Sequence, residues 1–367
     1  MAAKGQPMVA GEGHRERDEP PEHIGHQRVP APMTDQPDHD GPMHHRRAAA
    51  DGDEESDALS RGKLGHGARQ HSASPTRICL CVDDFGLHAG IDEAALHLVE
   101  LGRVHAIGCM VGCMVGCMVG GEPARGAAGV RLRELTSDGG VDIGLHLDFT
   151  ERPLSPRSRH ALPRLIARSL LRLVDRAQVR AEIRAQLDAF EHWLGRAPAF
   201  VDGHQHVHQL PVVRSELLAE LVSRYRGRLP WLRSTRAAAG VREGEPRSSR
   251  LKARVIEALG SRSLDAAAQR AGFAQNAHLL GVYDFAGGTE RYALLMAAWL
   301  GQARDADLLM CHAAARAPEG EAIDPIGEAR CGEYRFLAGA EFAALRLAAG
   351  VQLEPMSRIL ARGTRTA

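Results

Sequence analysis

Three short segments of the chain each place polar side chains directly after an apolar run. Residues 82–86 contain two adjacent aspartates, residues 144–147 contain one histidine, and residues 202–208 read Asp-Gly-His-Gln-His-Val-His. A metal that activates water for hydrolysis needs carboxylate or imidazole ligands, an open position and a nearby base. The three segments together therefore predict a hydrolytic metal site.

The residue types in these segments can supply both the metal ligands and the base that such a site needs. Asp84, His146 and His204 form a set of one carboxylate and two imidazoles, which suits Zn²⁺, Mg²⁺, Mn²⁺ or Fe²⁺. The side chains of adjacent aspartates at a strand end point in different directions, so one can bind the metal while the other faces the water as a base. Taken alone, each motif also has a purely structural explanation. The aspartates could belong to a turn after a strand, and His146 could be a buried histidine with its hydrogen bonds satisfied. The prediction depends on the three segments occurring in one chain.

The third segment carries the strongest signal. If Phe200 to His208 is one strand, then His204, His206 and His208 point to the same face. Three imidazoles on one face of an apolar strand have no ordinary packing purpose, so we expect this face to serve the site.

Strands alternate with helices along the chain. Strands are predicted at residues 77–82, 141–147, 200–208, 231–235 and 307–312, and helices at 91–101, at 178–194 and from Pro211 onward. This alternation indicates an α/β fold with a parallel sheet. Functional residues of such folds gather at the carboxyl ends of the strands, where all the candidate residues fall.

Composition divides the 367 residues into two regions. Residues 1–75 have almost no Leu, Ile, Phe or Trp, so we expect a disordered extension, or a start codon assigned too far upstream. Residues 76–360 suit one large domain. The formal net charge is zero, which argues against a nucleic-acid partner.

Neither a secretory signal nor a membrane span is visible in the sequence. The N-terminal region lacks an apolar segment, and the longest uncharged stretch, residues 106–121, is shorter than the roughly 20 residues that cross a bilayer. The chain has seven cysteines, and an odd number without secretory context indicates reduced thiols. We therefore expect a cytoplasmic protein.

Residues 108–120 contain Cys-Met-Val-Gly three times in tandem. Cys109, Cys113 and Cys117 have helical spacing and could form a thiolate site. The glycines disfavour a helix, however, and no fourth ligand is evident. The favoured interpretation is a local tandem expansion of one strand-and-turn unit, which lengthens one connection near the site.

These motifs resemble those of the YdjC-like carbohydrate deacetylases, a family with chitooligosaccharide (ChbG) and hopanoid-biosynthesis (HpnK) members. The matching segments are residues 82–87, 144–147, 150–154, 202–208, 309–312 and 333–337, so the resemblance covers about residues 76 to 355. The segment 324–337 is most similar to the hopanoid-associated branch. One departure is Ala313-Ala314, where the family usually has Pro-Gly.

The resemblance implies a deformed parallel (β/α) barrel, similar to polysaccharide deacetylases, that binds one divalent metal ion, Mg²⁺ or Zn²⁺. It implies three metal ligands: Asp84, His146 and His204. Asp83 would be the general base in the removal of an N-acetyl group from an amino sugar, and His312 would protonate the leaving amine. Three further residues are candidates to contact the substrate or to orient the ligands: His206, His208 and Arg233.

The substrate and the partners stay open at this stage. The amino sugar could belong to a hopanoid glycolipid or to an oligosaccharide, and a different metal hydrolase or a non-catalytic metal-binding protein is the alternative. A glycolipid would bring the protein to a membrane surface. Residues 162–177, rich in Leu and Arg, are then either an interfacial segment or a helix that covers the barrel. The sequence is also compatible with a homodimer.

Overall fold

The structure is a computed structural model that describes residues 75–112, 123–238, 244–318 and 324–363. All but the last residue of the predicted extension 1–75 lies outside the described residues, as do Cys113 and Cys117 of the tandem segment. The domain boundary near residue 75 therefore stays a prediction.

The described part of the chain alternates between strands and helices, as the sequence predicts. The strands are β1 (Thr76–Phe85), β2 (Ala106–Cys109), β3 (Asp142–Leu147), β4 (Phe200–Gly203), β5 (Trp231–Leu232), β6 (Leu279–Leu280), β7 (Leu308–Cys311) and β8 (Val351–Leu353). The first helices are α1 (Ala89–Glu100), α2 (Pro123–Leu135), α3 (Leu162–Leu170), α4 (Arg176–Leu194) and α5 (Pro211–Arg224). The later helices are α6 (Arg247–Ala258), α7 (Ser261–Arg270), α8 (Gly288–Leu300), α9 (Gly327–Ala338), α10 (Ala340–Ala348) and α11 (Met356–Gly363). Short 3₁₀ turns lie at Pro156–Ser158 and His204–Gln209.

Seven parallel strands follow the order β5-β4-β3-β2-β1-β7-β6, and β8 pairs with the first residues of β1. Two single bridges, Leu232 with Gln275 and Ala237 with Leu279, join the β5 side to the β6 side. The strands thus close into a barrel through a short, irregular seam. The predicted deformed parallel (β/α) barrel is confirmed.

Alternate residues of β1 face the inside and the outside of the barrel. Ile78, Leu80 and Val82 belong to the larger apolar cluster, which includes residues of the surrounding helices. Cys79 and Cys81 belong to a second cluster with side chains from the other strands: Ala106, Phe200, Trp231, Leu279, Leu308 and Met310. This second cluster fills the barrel interior, so the next residue with the same orientation, Asp83, lies at its carboxyl end.

Local signals predict the helix boundaries well. Helix α4 ends at Gly195, whose φ of 69° is left-handed, and it begins after Asp175, whose side chain accepts from two backbone N–H groups. Pro211 is the first residue of α5, as predicted. These caps act within a few residues, so they need no tertiary information.

The predicted strand 200–208 is wrong in its second half. Strand β4 ends at Gly203, which pairs with Leu147, the last residue of β3. After Gly203, β3 offers no further residue for the chain to pair with. The chain enters a 3₁₀ turn in which Gln205 and His206 have left-handed φ values of 52° and 61°. A Cβ at Gly203 would lie 2.9 Å from the backbone N of His208, so the turn folds closely back on a glycine.

Cys109, the first cysteine of the tandem segment, ends strand β2 and is buried. Burial raises the pKa of this thiol well above its usual range. Cys109 is therefore a protonated core residue, which argues against the thiolate interpretation at this position.

Among the helices of the described residues, none combines the length and apolarity that crossing a bilayer requires.

Candidate metal centre

Asp83 and Asp84 lie at the end of β1, where its pairing with β2 is irregular. The register shifts between Val82 and Phe85, and Asp84 has a left-handed φ of 68°. Successive side chains of a regular strand point to opposite faces, but here each carboxylate has an oxygen within 4.8 Å of a nitrogen of His146. The irregularity brings both carboxylates to one place, at a backbone cost of about 1–3 kcal/mol.

The three predicted metal ligands come together from β1, β3 and the turn after β4. Nδ1 of His204 lies 2.8 Å, and Nε2 of His146 lies 3.3 Å, from the same oxygen, Oδ1 of Asp84. The two imidazole rings have centroids 5.6 Å apart and an interplanar angle of 73°. Two nitrogen donors and a carboxylate oxygen thus converge on one point, where a cation could contact all three.

The charges around this point favour a cation. Three carboxylates (Asp83, Asp84 and Asp202) and two guanidinium groups (Arg233 and Arg330) surround it, and none of the five residues is more than 3% exposed. The carboxylates outnumber the guanidinium groups by one. Because an uncompensated buried charge is costly, the excess is offset by an imidazolium or by a bound metal ion.

A second set of donors, Asp83, His146 and Asp202, is also close enough to hold a metal. Arg233 already contacts both carboxylates of this set. Its Nη1 and Nη2 each donate to Asp83 at 2.6 Å, and Nη2 lies 2.7 Å from Oδ2 of Asp202. A metal there would have to lie against a guanidinium, so the geometry favours the set that contains Asp84 and His204.

Asp202, which the motifs alone did not predict as a site residue, orients His146. Its Oδ1 accepts from Nδ1 of His146 at 2.7 Å, which leaves Nε2 to face Asp84. Burial disfavours the charged imidazole, but Asp202 and Asp83 outweigh this and hold the pKa of His146 well above its usual range. The position of Asp202, two residues before His204 in the same motif, is the signal that could have identified it.

Arg233 holds Asp83 rather than facing the solvent. The guanidinium is fully buried, and its Nη2 also donates to Sγ of Cys81 at 3.0 Å. Burial alone would raise the pKa of Asp83, but Arg233 outweighs it and holds that pKa well below its usual range. Of the two predicted roles of Arg233, this placement agrees with orienting another site residue and leaves no surface for a substrate.

The three histidines of residues 204–208 do not share a face. His208 is fully buried, its Nε2 donates to the backbone oxygen of Arg233 at 3.0 Å, and burial lowers its pKa to about 4. His206 is half-buried, and its Nδ1 has no partner among the described residues. The left-handed residues of the turn separate these side chains, so one imidazole supports Arg233 while another stays available beside the site.

His312 follows β7 at the carboxyl end of the barrel, as predicted. Its ring stands edge-on to Phe285, with centroids 5.1 Å apart, and its Nδ1 has no partner within the described ranges. Burial lowers the pKa of His312 to about 4. The backbone N–H of His312 donates to Glu333, which also accepts from Tyr283, and burial raises the pKa of Glu333 to about 7.

Arg330 joins three parts of the site and was missed by the sequence analysis. It donates to Oδ2 of Asp84 at 2.8 Å, to Asp324 at 2.6 Å and to the backbone oxygen of His312 at 3.3 Å. It thereby holds the Asp84 oxygen that does not face the histidines. The charged residues of the motif segment 324–337 were the available signal.

Fold and site together define a parallel β/α-barrel protein with a candidate centre for one metal ion at the carboxyl ends of its strands. The assignment of Asp84, His146 and His204 as its ligands stays a prediction. A family model described as YdjC-like protein matches residues 77–347, so the chain belongs to the YdjC-like family.

Individual relatives match shorter parts of the chain. A human carbohydrate deacetylase is 33% identical over 177 residues, which cover 45% of this chain and 50% of that protein. A chitooligosaccharide deacetylase of Enterobacter sp. (strain 638) is 28% identical over 148 residues, 39% of this chain and 54% of that protein. The chain thus spans about half the length of these relatives.

One solved structure has the same fold. It is an Enterococcus faecalis V583 protein described as a cellobiose-phosphate cleavage protein, with a TM-score of 0.52 and 20% sequence identity. The match covers 78% of this chain and 100% of that chain. At this identity the likeness concerns the fold alone.

Proposed function

We propose that the protein is a metal-dependent carbohydrate deacetylase that hydrolyses the N-acetyl group of an amino sugar. The observation that carries the proposal is the convergence of Asp84, His146 and His204 on one point, with the carboxylate of Asp83 beside the same histidine. The names of the human and Enterobacter relatives support a carbohydrate substrate.

Asp83 is the general base of the proposed reaction. A divalent ion held by Asp84, His146 and His204 would supply Lewis acidity toward the amide carbonyl and favour ionisation of water. The salt bridge with Arg233 keeps Asp83 ionised and fixes its direction. Each carboxylate oxygen has two lone pairs, so Asp83 can accept a proton from the attacking water while Arg233 still donates to it.

His312 carries a proton to the leaving amine. Because burial lowers its pKa to about 4, the imidazole is neutral at pH 7. It can therefore protonate the amine only after it has itself received a proton, either from Asp83 or from water. Because Nδ1 of His312 is buried without a partner among the described residues, the transfer falls to Nε2, the other ring nitrogen.

His206 is the proposed contact for the sugar. Its imidazole is half-buried beside the site, and burial together with the charges of His208 and Arg233 lowers its pKa well below the usual range. Nδ1 of His206 is buried, so Nε2 of the neutral imidazole is the nitrogen that could donate to or accept from a sugar hydroxyl.

The resemblance gives two candidate substrates that contain the N-acetyl sugar: a hopanoid glycolipid and a chitooligosaccharide. We propose the glycolipid on the likeness of residues 324–337 to the hopanoid-associated branch, with the oligosaccharide as the alternative. Mg²⁺ and Zn²⁺ are the candidate metals, and a cytoplasmic location and a homodimer stay predictions.

Acetate release tests the proposal. Metal-free protein is loaded with Zn²⁺ or Mg²⁺ and given either an N-acetylglucosaminyl oligosaccharide or an N-acetylglucosaminyl glycolipid. We expect acetate from one substrate, with activity lost in Asp83→Asn and kept in Asp188→Asn, whose carboxylate is 66% exposed. Metal-loaded, folded protein that releases no acetate from either substrate would refute the deacetylase and favour a non-catalytic metal-binding protein.

A further inference from the structure

One segment of the barrel rim is strongly basic although the whole chain is neutral. Between residues 152 and 174 there are six arginines and neither Asp nor Glu, whereas the chain has 46 basic and 46 acidic residues. The six are Arg152, Arg157, Arg159, Arg164, Arg168 and Arg172. Five of them are exposed, and none of the six forms an ion pair with a described carboxylate. We call residues 152–174 the basic rim segment.

Three leucines project from the same segment. Leu170, Leu171 and Leu173, at the end of α3, are 54%, 68% and 59% exposed. On the opposite side of the turn, Leu165 and Val174 are buried. Adjacent large apolar side chains in water are unfavourable, and a cluster of them on a surface marks an interaction site.

The turn that carries the leucines is held by hydrogen bonds rather than frayed. The N–H of Leu173 donates to the backbone oxygen of Arg168, whose Nη2 in turn donates to the backbone oxygen of Leu173, both at 2.7 Å. Arg172 adopts a left-handed φ of 59° in this turn. The backbone therefore holds the leucines outward in a defined arrangement.

The basic rim segment lies at the end of the barrel that carries the candidate site. It begins in the loop after β3, whose residue Asp148 is tied to α4 by two hydrogen bonds with Gln186. At the other end of the segment, Arg172 lies near Arg214. Burial lowers the pKa of the Arg214 guanidinium, and the positive charge of Arg172 lowers it further. Arg214 belongs to the first turn of α5, which starts directly after the turn of residues 204–209.

We propose that the basic rim segment binds the surface of an anionic lipid bilayer, with its arginines on phosphate headgroups and Leu170, Leu171 and Leu173 inserted at the interface. A basic face with projecting leucines matches both parts of such a surface, the negative headgroups and the apolar chains beneath them. Nucleic acid or another anionic polymer would match only the arginines. A second copy of this neutral chain would have to offer an acidic face with an apolar centre.

The docked orientation would direct the carboxyl end of the barrel toward the bilayer. On the proposed function, an amino sugar carried by a lipid would then approach the site from the membrane side. Bilayer binding itself needs no catalysis, so it can be measured even if the deacetylase proposal fails.

Co-sedimentation of the full chain with vesicles tests this binding. We expect binding to vesicles that mix phosphatidylcholine with phosphatidylglycerol, none to phosphatidylcholine alone, and weaker binding as salt rises from about 0.05 to 0.5 M. Replacing Leu170, Leu171 and Leu173 by Ser should weaken the binding about tenfold or more. Replacing Arg164 and Arg172 by Gln should weaken it by roughly fivefold per residue.

The matched control replaces three other exposed leucines by Ser: Leu251, Leu294 and Leu347. They are 67%, 70% and 68% exposed and lie on α6, α8 and α10. This variant makes the same chemical change outside the basic rim segment, and we expect wild-type binding. Circular dichroism and thermal unfolding of both variants would show that each is folded.

Three results would overturn the proposal. The first is the absence of binding to either kind of vesicle by folded wild-type protein. The second is an equal loss of binding in the control variant, which would indicate general stickiness rather than this site. The third is unchanged vesicle binding in the leucine and arginine variants of the basic rim segment. If these variants instead differ from wild type in sedimentation velocity, the segment is a dimer face. If they differ in retention on an anionic polymer, the segment binds such a polymer.

Discussion

Asp202→Asn tests whether one buried carboxylate supports both the candidate ligand His146 and the pair of Arg233 with Asp83. The two oxygens of Asp202 lie 2.7 Å from Nδ1 of His146 and 2.7 Å from Nη2 of Arg233. Asparagine has nearly the same size but no charge, and only one of its two side-chain polar atoms is an acceptor. It cannot both accept from Nδ1 of His146 and offer a negative charge to the guanidinium of Arg233.

The expected loss follows from these two contacts. Removing a carboxylate that orients a metal-binding histidine weakens metal affinity about 10- to 100-fold, which corresponds to about 1.4–2.7 kcal/mol. Arg233 keeps its two hydrogen bonds to Asp83, so its charge is not left alone. We therefore expect the free energy of unfolding to fall by about 1–3 kcal/mol, less than for an isolated buried charge.

Metal affinity is measured by chelator competition on the full chain, and the free energy of unfolding by denaturant titration without metal. Asp188→Asn is the control, because its carboxylate pairs with Arg224 at the surface and is 66% exposed. We expect the control to change stability by less than about 1 kcal/mol. A folded Asp202→Asn protein whose metal affinity stays within about twofold of wild type would refute the reasoning.

The other predictions concern the base, the missed arginine and the pH dependence of stability. Asp83→Asn should keep the metal and lower the rate of acetate release by about 10²- to 10⁴-fold, and nearly full activity in that variant would exclude Asp83 as the base. Arg330→Met removes the guanidinium partner of buried Asp84 but leaves His146 and His204 on its other oxygen, so metal-free protein should lose about 1–3 kcal/mol of stability. Added Zn²⁺ should restore part of this, whereas an equal loss with and without metal would contradict a metal at Asp84. Because the pKa of Glu333 rises from 4.5 to about 7 on folding, this group disfavours folding increasingly as pH rises from 4.5 through 7, by up to about 3 kcal/mol. The stability difference between wild type and Glu333→Gln should therefore change over this pH range, and a constant difference in urea titrations would argue against the raised pKa.

Much of the fold follows from local patterns in the sequence. Buried apolar runs separated by helical spacing predict a parallel sheet, and the boundaries at Gly195 and Pro211 depend on backbone preferences of single residues. The convergence of Asp84, His146 and His204 is predictable for a similar reason. Each residue ends or follows a strand, and parallel strands bring their carboxyl ends to one edge.

The closing seam of the barrel could not be predicted in this way. Strand β5, predicted at residues 231–235, contains only two residues, and β6, which was not predicted, also contains two, too few for a periodic pattern. Their sides meet only through the single bridges of Leu232 with Gln275 and Ala237 with Leu279. Such contacts depend on how the rest of the sheet curves, which the local sequence does not encode.

The sequence by itself determined which residue types were available and which of them end strands. Only the tertiary structure decided the partner of each charge. Arg330 is 246 residues from Asp84, and Arg233 is 150 residues from Asp83, yet both guanidinium groups are buried against these carboxylates. The end of β4 at Gly203 is likewise set by the length of its neighbour β3. The physical reason is the same in these cases: buried charges and strand edges must be satisfied by whatever the folded chain places beside them.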